Sequence, residues 1–395
     1  MNRKINVLYI SVGEGGSDIA LLNMLNGLSV YENINPVVLV NPRKVLIPEL
    51  ESRNIVYKIV NYKFSLWPRF NYWSEKIRYP WRLISNPIKN FIAVKKIIKI
   101  ASDYNIDIIH TNVGVIQIGY IVAKKLGIPH IWHLREYQGP EFKMCQFPSK
   151  KFFFDKLNND NNYSIAITNG VYNHFKLNQQ NSCLIYDGVL KNNQTRFILE
   201  KEKYFLFVGK ITDNKGVTEL LEAFIEFAKT DELYELRIVA KFTINEYTRT
   251  LIKKIKKSGL QDRIKFLGYR QDTYELMSTA SALIVPSKFE GFGLTTAEAM
   301  FNGCLVIGKD ISGTKEQFDN GLKECGLEIG IRYSTLKELT LAMNDVKTNG
   351  IQHYVEQIKN AQATVKGLYS IEKNTQEINL LYKKTMNKIN RRIIK

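Results

Sequence analysis

The sequence predicts an α/β protein of two doubly wound, parallel-sheet domains facing each other across a cleft. Three observations carry this. The chain has 395 residues, longer than one core usually supports, so two domains of about 150–200 residues are expected. Short runs rich in Val and Ile alternate with segments of helical period, as suits strands buried on both faces of a parallel sheet. A strand–glycine–helix opening occurs twice, as Tyr9-Ile-Ser-Val-Gly-Glu-Gly-Gly16 and as Phe207-Val-Gly-Lys-Ile-Thr-Asp-Asn-Lys-Gly216.

Taken in order, the apolar runs of the first half are Ile5–Ile10, Pro36–Val40, Ile106–Ile109, Ile165–Thr168 and Cys183–Tyr186. Those of the second half are Tyr204–Val208, Leu236–Ala240, Ile264–Leu267, Ala282–Val285 and Leu305–Ile307. Ser17–Leu28 reads as the first helix, with Ser17 or Asp18 as its cap, and Val217–Thr230 as its amphipathic counterpart. The polar stretch 191–203 reads as a linker. It divides a first domain, 1–190, from a second, 204–370, and 371–395 reads as a helical tail packing back on the first domain. The N-terminal apolar run is short, contains Asn6 and leads into glycines, so it reads as a strand and not a signal peptide. No stretch of about 18 uninterrupted apolar residues is present to span a bilayer.

With 45% hydrophobic and 24% charged residues the composition is globular. Four scattered cysteines, Cys145, Cys183, Cys304 and Cys325, argue against a zinc site or a disulfide framework and fit a reducing cytoplasm. The formal charge of +18 calls for an anionic partner or surface.

Ligands of open parallel sheets bind beyond the carboxyl ends of the strands, where loops enter helix N-termini. Three stretches fall there. In Gly13-Glu-Gly-Gly-Ser17 the glycines allow close backbone approach to a phosphate, although tight turns use glycine regardless. The second predicted strand ends in Asn41-Pro42 without the carboxylate that a dinucleotide site needs for its ribose, and no P-loop ending occurs. In the second stretch Lys210 and Lys215 flank a turn and suit a diphosphate, or are simply solvated. In the third, Pro286–Met300, Thr295 and Glu298 fit a capping box. Glu290 has no such structural use, and its carboxylate suits sugar hydroxyls better than phosphate.

Pro286-Ser-Lys-Phe-Glu290-Gly-Phe-Gly-Leu-Thr-Thr-Ala-Glu298-Ala resembles the Glu-x7-Glu signature of family 4 retaining glycosyltransferases, whose GT-B fold pairs two Rossmann-like domains. In the family's order stand also Gly13–Gly16, Asp107-Ile-Ile-His110, Ile128-Pro-His-Ile-Trp-His133, Asp187-Gly-Val189 and the Lys210/Lys215 turn, so the resemblance spans about residues 5 to 330. It implies that Glu290 contacts the transferred sugar and Glu298 the ribose of the donor nucleotide. Phe292, Gly293, Leu294 and Thr295 line the sugar–phosphate region through their backbone. Lys210 and Lys215 neutralise the diphosphate, with Gly15 and Gly16 assisting from the first domain, and His133 sits near the reacting sugar. Arginine often stands where this chain has Lys210, and lysine keeps the charge without the bidentate fork. His110 reads as structural.

The resemblance implies transfer from a nucleotide sugar, by default a UDP-sugar, to a glycan or lipid-linked acceptor in bacterial polysaccharide biosynthesis. It implies front-face chemistry without cofactor or metal. A sugar-nucleotide epimerase of the same fold and a non-catalytic glycan- or nucleotide-binding subunit are the alternatives.

One segment lies outside this pattern. Residues 62–100 hold Trp67, Trp73 and Trp81 and nine basic residues against the single acid Glu75, and Lys89–Lys99 reads as a basic amphipathic helix. Tryptophan with lysine and arginine suits an anionic membrane surface. No nucleic-acid module is visible, so nucleic acid ranks below it. The expected location is therefore cytoplasmic, peripheral on the inner face of the membrane.

Overall fold

A computed structural model describes residues 4–11, 15–42, 46–68, 73–139, 144–146 and 149–393. The chain divides into two compact units, Met1–Gly188 with Ile371–Lys395, and Val189–Ser370.

The first unit carries β1 (Ile5–Ile10), β2 (Ile34–Val40), β3 (Val56–Ile59), β4 (Leu66–Pro68), β5 (Ile108–Thr111), β6 (His130–Leu134), β7 (Met144–Gln146), β8 (Asn162–Ala166) and β9 (Ser182–Leu184). Seven of these form one sheet in the order β3-β2-β1-β5-β6-β8-β9, every pair parallel. β4 and β7 pair separately and antiparallel. Alternate residues of β1 serve opposite faces. Val7 and Tyr9 pack with Leu21, Met24, Leu25, Ile378 and Tyr382, whereas Leu8 and Ile10 pack with Ala93, Ile97, Ile118 and Val122. Both faces are covered, which is why β1 reads as an unbroken apolar run. The helices Gly16–Leu28 and Ile371–Ile393 close one face; Trp73–Asp103 and Ile118–Leu126 close the other.

The second unit holds β10 (Glu202–Val208), β11 (Glu235–Val239), β12 (Ile264–Gly268), β13 (Ala280–Val285), β14 (Val306–Lys309) and β15 (Ile331–Tyr333), parallel throughout in the order β12-β11-β10-β13-β14-β15. β3, β6 and β15 are absent from the apolar runs: β3 and β15 are short edge strands, and the central β6 is interrupted by His130 and His133.

Three local readings change. Stretch 191–203 lies within the second unit: Arg196 N–H donates to Phe301 O at 3.2 Å and Lys201 Nζ to the Ser278 and Gly303 carbonyls. The first helix starts on Gly15, which has no side chain to cap it, and the Asp18 carboxylate instead accepts the Ser11 hydroxyl. The basic helix expected over Lys89–Lys99 extends from Trp73 to Asp103, continuing through Pro80 and Pro87.

Candidate functional site

Strand order reverses between β1 and β5 in one sheet and between β10 and β13 in the other. At such switch points the loops beyond adjacent strands diverge and leave room for a ligand. In the second unit these loops are 209–216, after β10, and 286–293, after β13.

They pack on each other without a spacer. Gly216 has φ +70, and a Cβ there would lie 1.9 Å from the Pro286 carbonyl oxygen. The Lys288 N–H donates to Asn214 O at 2.9 Å, and Lys288 Nζ pairs with Asp213 Oδ2 at 2.8 Å. Gly216→Ala should therefore cost more than the roughly 1–2 kcal/mol of a left-handed non-glycine residue alone, because the loops must also part. Urea unfolding measures it, and a midpoint equal to wild type would contradict this packing.

The seam brings Lys215 Nζ within 2.5 Å of Glu290 Oε1, although the residues are 75 apart in the chain. Glu290 thus has a structural partner that its sequence context does not reveal. The pair stays partly open, with side-chain exposures of 32% and 17%, so a ligand can reach both groups. Lys210 is exposed and makes no ion pair or hydrogen bond among the described residues.

Behind Glu290 the backbone is held from the far side. Gly313 N–H donates to Glu290 O at 3.1 Å, and Gln317 Nε2 donates to Phe292 O at 2.7 Å and Gly293 O at 3.0 Å. Phe292 is buried, edge-on to Tyr369 at 5.0 Å. The helix Leu294–Phe301 starts on Gly293 at φ +92. No side chain caps it, so the capping box read from Thr295 and Glu298 does not form. A left-handed glycine makes the turn that a threonine cap would have made; Thr296 and Ala297 N–H turn to Gly293 O, and the N–H groups of Leu294 and Thr295 keep their capacity to bind an anion.

Glu298 is half-buried and accepts a long bond from the Tyr274 hydroxyl at 3.4 Å. Desolvation of its carboxyl raises the pKa to about 7, against the lowering effect of the Tyr274 bond. Sequence reasoning had no signal for Tyr274, which comes from the separate helix Thr273–Thr279.

In the first unit Gly15 is exposed, at φ +101, with open space where a Cβ would sit, and Gly16 begins the helix. Gly13 and Glu14 lie outside the described residues. His133 ends up fully buried, not at a surface. Its Nδ1 lies 3.2 Å from Arg135 Nη2 and 3.2 Å from His110 Nε2, and its Nε2 lies 3.8 Å from Asp187 Oδ1. Arginine can only donate, so Nδ1 accepts and the ring proton sits on Nε2, toward Asp187. Burial, then the Arg135 charge, holds both His133 and His110 well below the usual histidine pKa, and both are neutral at pH 7. Arg135 Nη1 pairs with Asp187, and its Nε donates to Asn112 Oδ1 at 3.2 Å. His110 Nδ1 meets the Tyr382 hydroxyl at 2.6 Å, tying the C-terminal helix into the same network. Asp187 belongs to the Asp187-Gly-Val189 stretch, whose sequence gives it no role, and nothing in the sequence around Arg135 marks it. Among the described residues no group of three or more His, Cys, Asp or Glu is placed to hold a metal ion.

Residues 191–364, nearly the whole of the second unit, match the family Glycosyl transferases group 1. An uncharacterised glycosyltransferase of Methanocaldococcus jannaschii is 25% identical over 282 residues, 68% of this chain and 76% of that protein. The capsular polysaccharide biosynthesis glycosyltransferase CapH of Staphylococcus aureus is 24% identical over 288 residues, 69% and 81% of the two chains. Anabaena Alr3699/HepE, solved in complex with UDP and glucose, resembles the structure with a TM-score of 0.76 at 19% identity, covering 96% of this chain and all of that one. The fold is that of GT-B glycosyltransferases: two parallel-sheet α/β domains of seven and six strands among the described residues. Within the matched residues lie Lys210, Lys215, Glu290 and Glu298.

Proposed function

We propose that the chain is a retaining glycosyltransferase that moves a sugar from a nucleoside-diphosphate donor, of the UDP class, to a glycan or lipid-linked acceptor in bacterial polysaccharide biosynthesis. It works in the cytoplasm at the inner membrane face. The observation that carries the reading is the Lys215–Glu290 pair at the switch point of the second unit, beside Lys210 and an uncapped helix start. A cation for a diphosphate and a carboxylate for sugar hydroxyls stand next to each other there.

Cleavage of the glycosyl–phosphate bond leaves positive charge on the sugar and negative charge on the departing diphosphate. Lys210, Lys215 and the backbone N–H groups of Phe292, Gly293, Leu294 and Thr295 meet the second; preorganised donors of this kind are worth roughly 3–4 kcal/mol each. Gly15 and Gly16 give a second uncapped helix start suited to an anion. Glu290 accepts hydroxyls of the transferred sugar and Glu298 those of the ribose. The departing phosphate takes the acceptor proton on the same face, so the reading needs neither a protein nucleophile nor a metal. His133, expected beside the sugar, enters as a neutral buried imidazole beside the Arg135–Asp187 pair.

Glu298 supplies the test. Ribose hydroxyls donate, so they favour the ionised carboxylate. The affinity for UDP, measured by calorimetry, should rise as pH is raised from 6 to 8 through the Glu298 pKa of about 7, and Glu298→Gln should flatten that rise. Stability runs the other way. The folded pKa lies above the unfolded 4.5, so the contribution is fully present below 4.5 and is lost as pH climbs through about 7. UDP affinity that ignores pH in the wild type would remove Glu298 from the ribose site.

A further inference from the structure

The helix Trp73–Asp103 presents two apolar faces, and only one is used by the fold. Ala93, Val94, Ile97 and Ala101 are buried in the sheet-covering core. Ile77, Trp81, Ile84, Ile88, Phe91 and Ile92 are each between 50% and 71% exposed. Their spacing of four, three, four and three residues from Ile77 to Phe91 makes one stripe. At about 100° per residue it points away from the buried face, and it runs about 22 Å. Isolated exposed apolar residues are ordinary in proteins; a continuous row of six is not.

The charges that the helix itself carries beside the stripe have one sign. Lys89, Lys95, Lys96 and Lys99 are exposed, Arg82 is half-buried, and no Asp or Glu occurs from Ile77 to Ser102. Lys95 Nζ lies 4.7 Å from the Phe91 ring centroid, so the ammonium caps the end of the stripe. Among the described residues no helix is long and apolar enough to cross a membrane. A hydrophobic row beside lysines, fixed on a folded unit by its opposite face, matches an interface between water and anionic headgroups. A protein partner would need acidic complementarity as well as an apolar groove, whereas a bilayer offers both properties over any length.

We propose that this helix is a lipid-docking element, lying in the plane of an anionic bilayer with Trp81, Ile84, Ile88 and Phe91 immersed and the lysines at the headgroups. The proposal deepens the membrane-facing reading above by naming the surface, and it rests on the acceptor assignment only for its purpose. The side chains of Trp67 and Trp73 lie outside the described residues.

Sedimentation of the full chain with vesicles tests it. Phosphatidylcholine mixed with phosphatidylglycerol should pull the protein down in a salt-sensitive way, and phosphatidylcholine alone much less. Trp81→Glu with Ile88→Glu should lower partitioning about tenfold or more. Lys95→Gln and Lys96→Gln should each lower it about fivefold. All four sites are exposed, so the fold is spared, and an unchanged thermal midpoint verifies that. Three results would each overturn the proposal: wild type left in the supernatant with anionic vesicles, the double glutamate variant binding like wild type, or a lipid-free dimer that this variant makes monomeric. The last would give the stripe to a second copy of the chain. No nucleotide sugar is present in the assay, so failed docking leaves the donor-site reading standing, and a failed donor site leaves docking standing.

Discussion

Glutamine at position 290 should lower kcat/KM for sugar transfer by about 10²-fold. The substitution keeps the shape and removes the charge, so hydroxyls of the donor sugar lose a charge-assisted acceptor worth about 1.5–3 kcal/mol. Lys215 also loses the partner that aims it, and Lys215→Met should cost a similar or larger factor, as the loss of a preorganised cation. Because the two groups touch, their effects should not add; the double variant should fall well short of the product of the singles. A purely structural pair gives a different pattern. Partly exposed ion pairs contribute about 0–1 kcal/mol, so Glu290→Gln would then shift the thermal midpoint slightly and leave turnover alone. Transfer and donor hydrolysis within twofold of wild type would end the assignment of Glu290.

The largest stability loss should come from Arg135→Met in the first unit. Asp187 is buried, and burial raises its pKa; the Arg135 guanidinium is the cation that opposes this rise. Removing one partner of a buried pair typically costs about 3–5 kcal/mol, because the remaining charge stays desolvated. For a unit of this size that corresponds to a fall in Tm of about 10 °C. The loss has a pH signature. Without Arg135 the Asp187 carboxyl should bind its proton more firmly, so the deficit against wild type should shrink as pH falls and the carboxyl becomes neutral. Asp187→Asn added to Arg135→Met should recover part of the loss. Thermal unfolding between pH 5 and 8 reads all three, and a single variant as stable as wild type would show that Asp187 does not depend on Arg135.

The candidate site was legible to different depths at different residues. Glu290, Lys210 and Lys215 stand at strand ends beside glycines, a local arrangement that a parallel sheet turns into a ligand-facing loop whatever the rest of the chain does. At Glu298 the capping-box reading is the one that does not hold. Thr295 followed by Glu298 has the spacing of a capping box, but spacing carries no information on backbone handedness. Gly293 at φ +92 takes the cap position, and Gln317, 24 residues on, holds the two carbonyls before the helix. Glu298 is left to Tyr274 and the open side. His133, which the resemblance places near the reacting sugar, is fully buried, with Arg135 and Asp187 beside it.

The alternation of short Val- and Ile-rich runs with helical segments suffices for two parallel sheets, since strands covered on both faces are largely apolar, with buried polar residues such as His110 and His133 held in hydrogen bonds. It equally places the glycine turns and the opening helices, because glycine takes the left-handed backbone where loop meets helix at the least cost. Long-range pairing decided the rest. Lys215 meets Glu290 only because β10 and β13 are neighbours, and Arg135 reaches Asp187 across 52 residues. The helix Trp73–Asp103 is apolar on two sides in sequence, and the face packed on the sheet determines which of them is left for water or lipid. Such choices depend on which distant surfaces bury each other, and no local pattern encodes that.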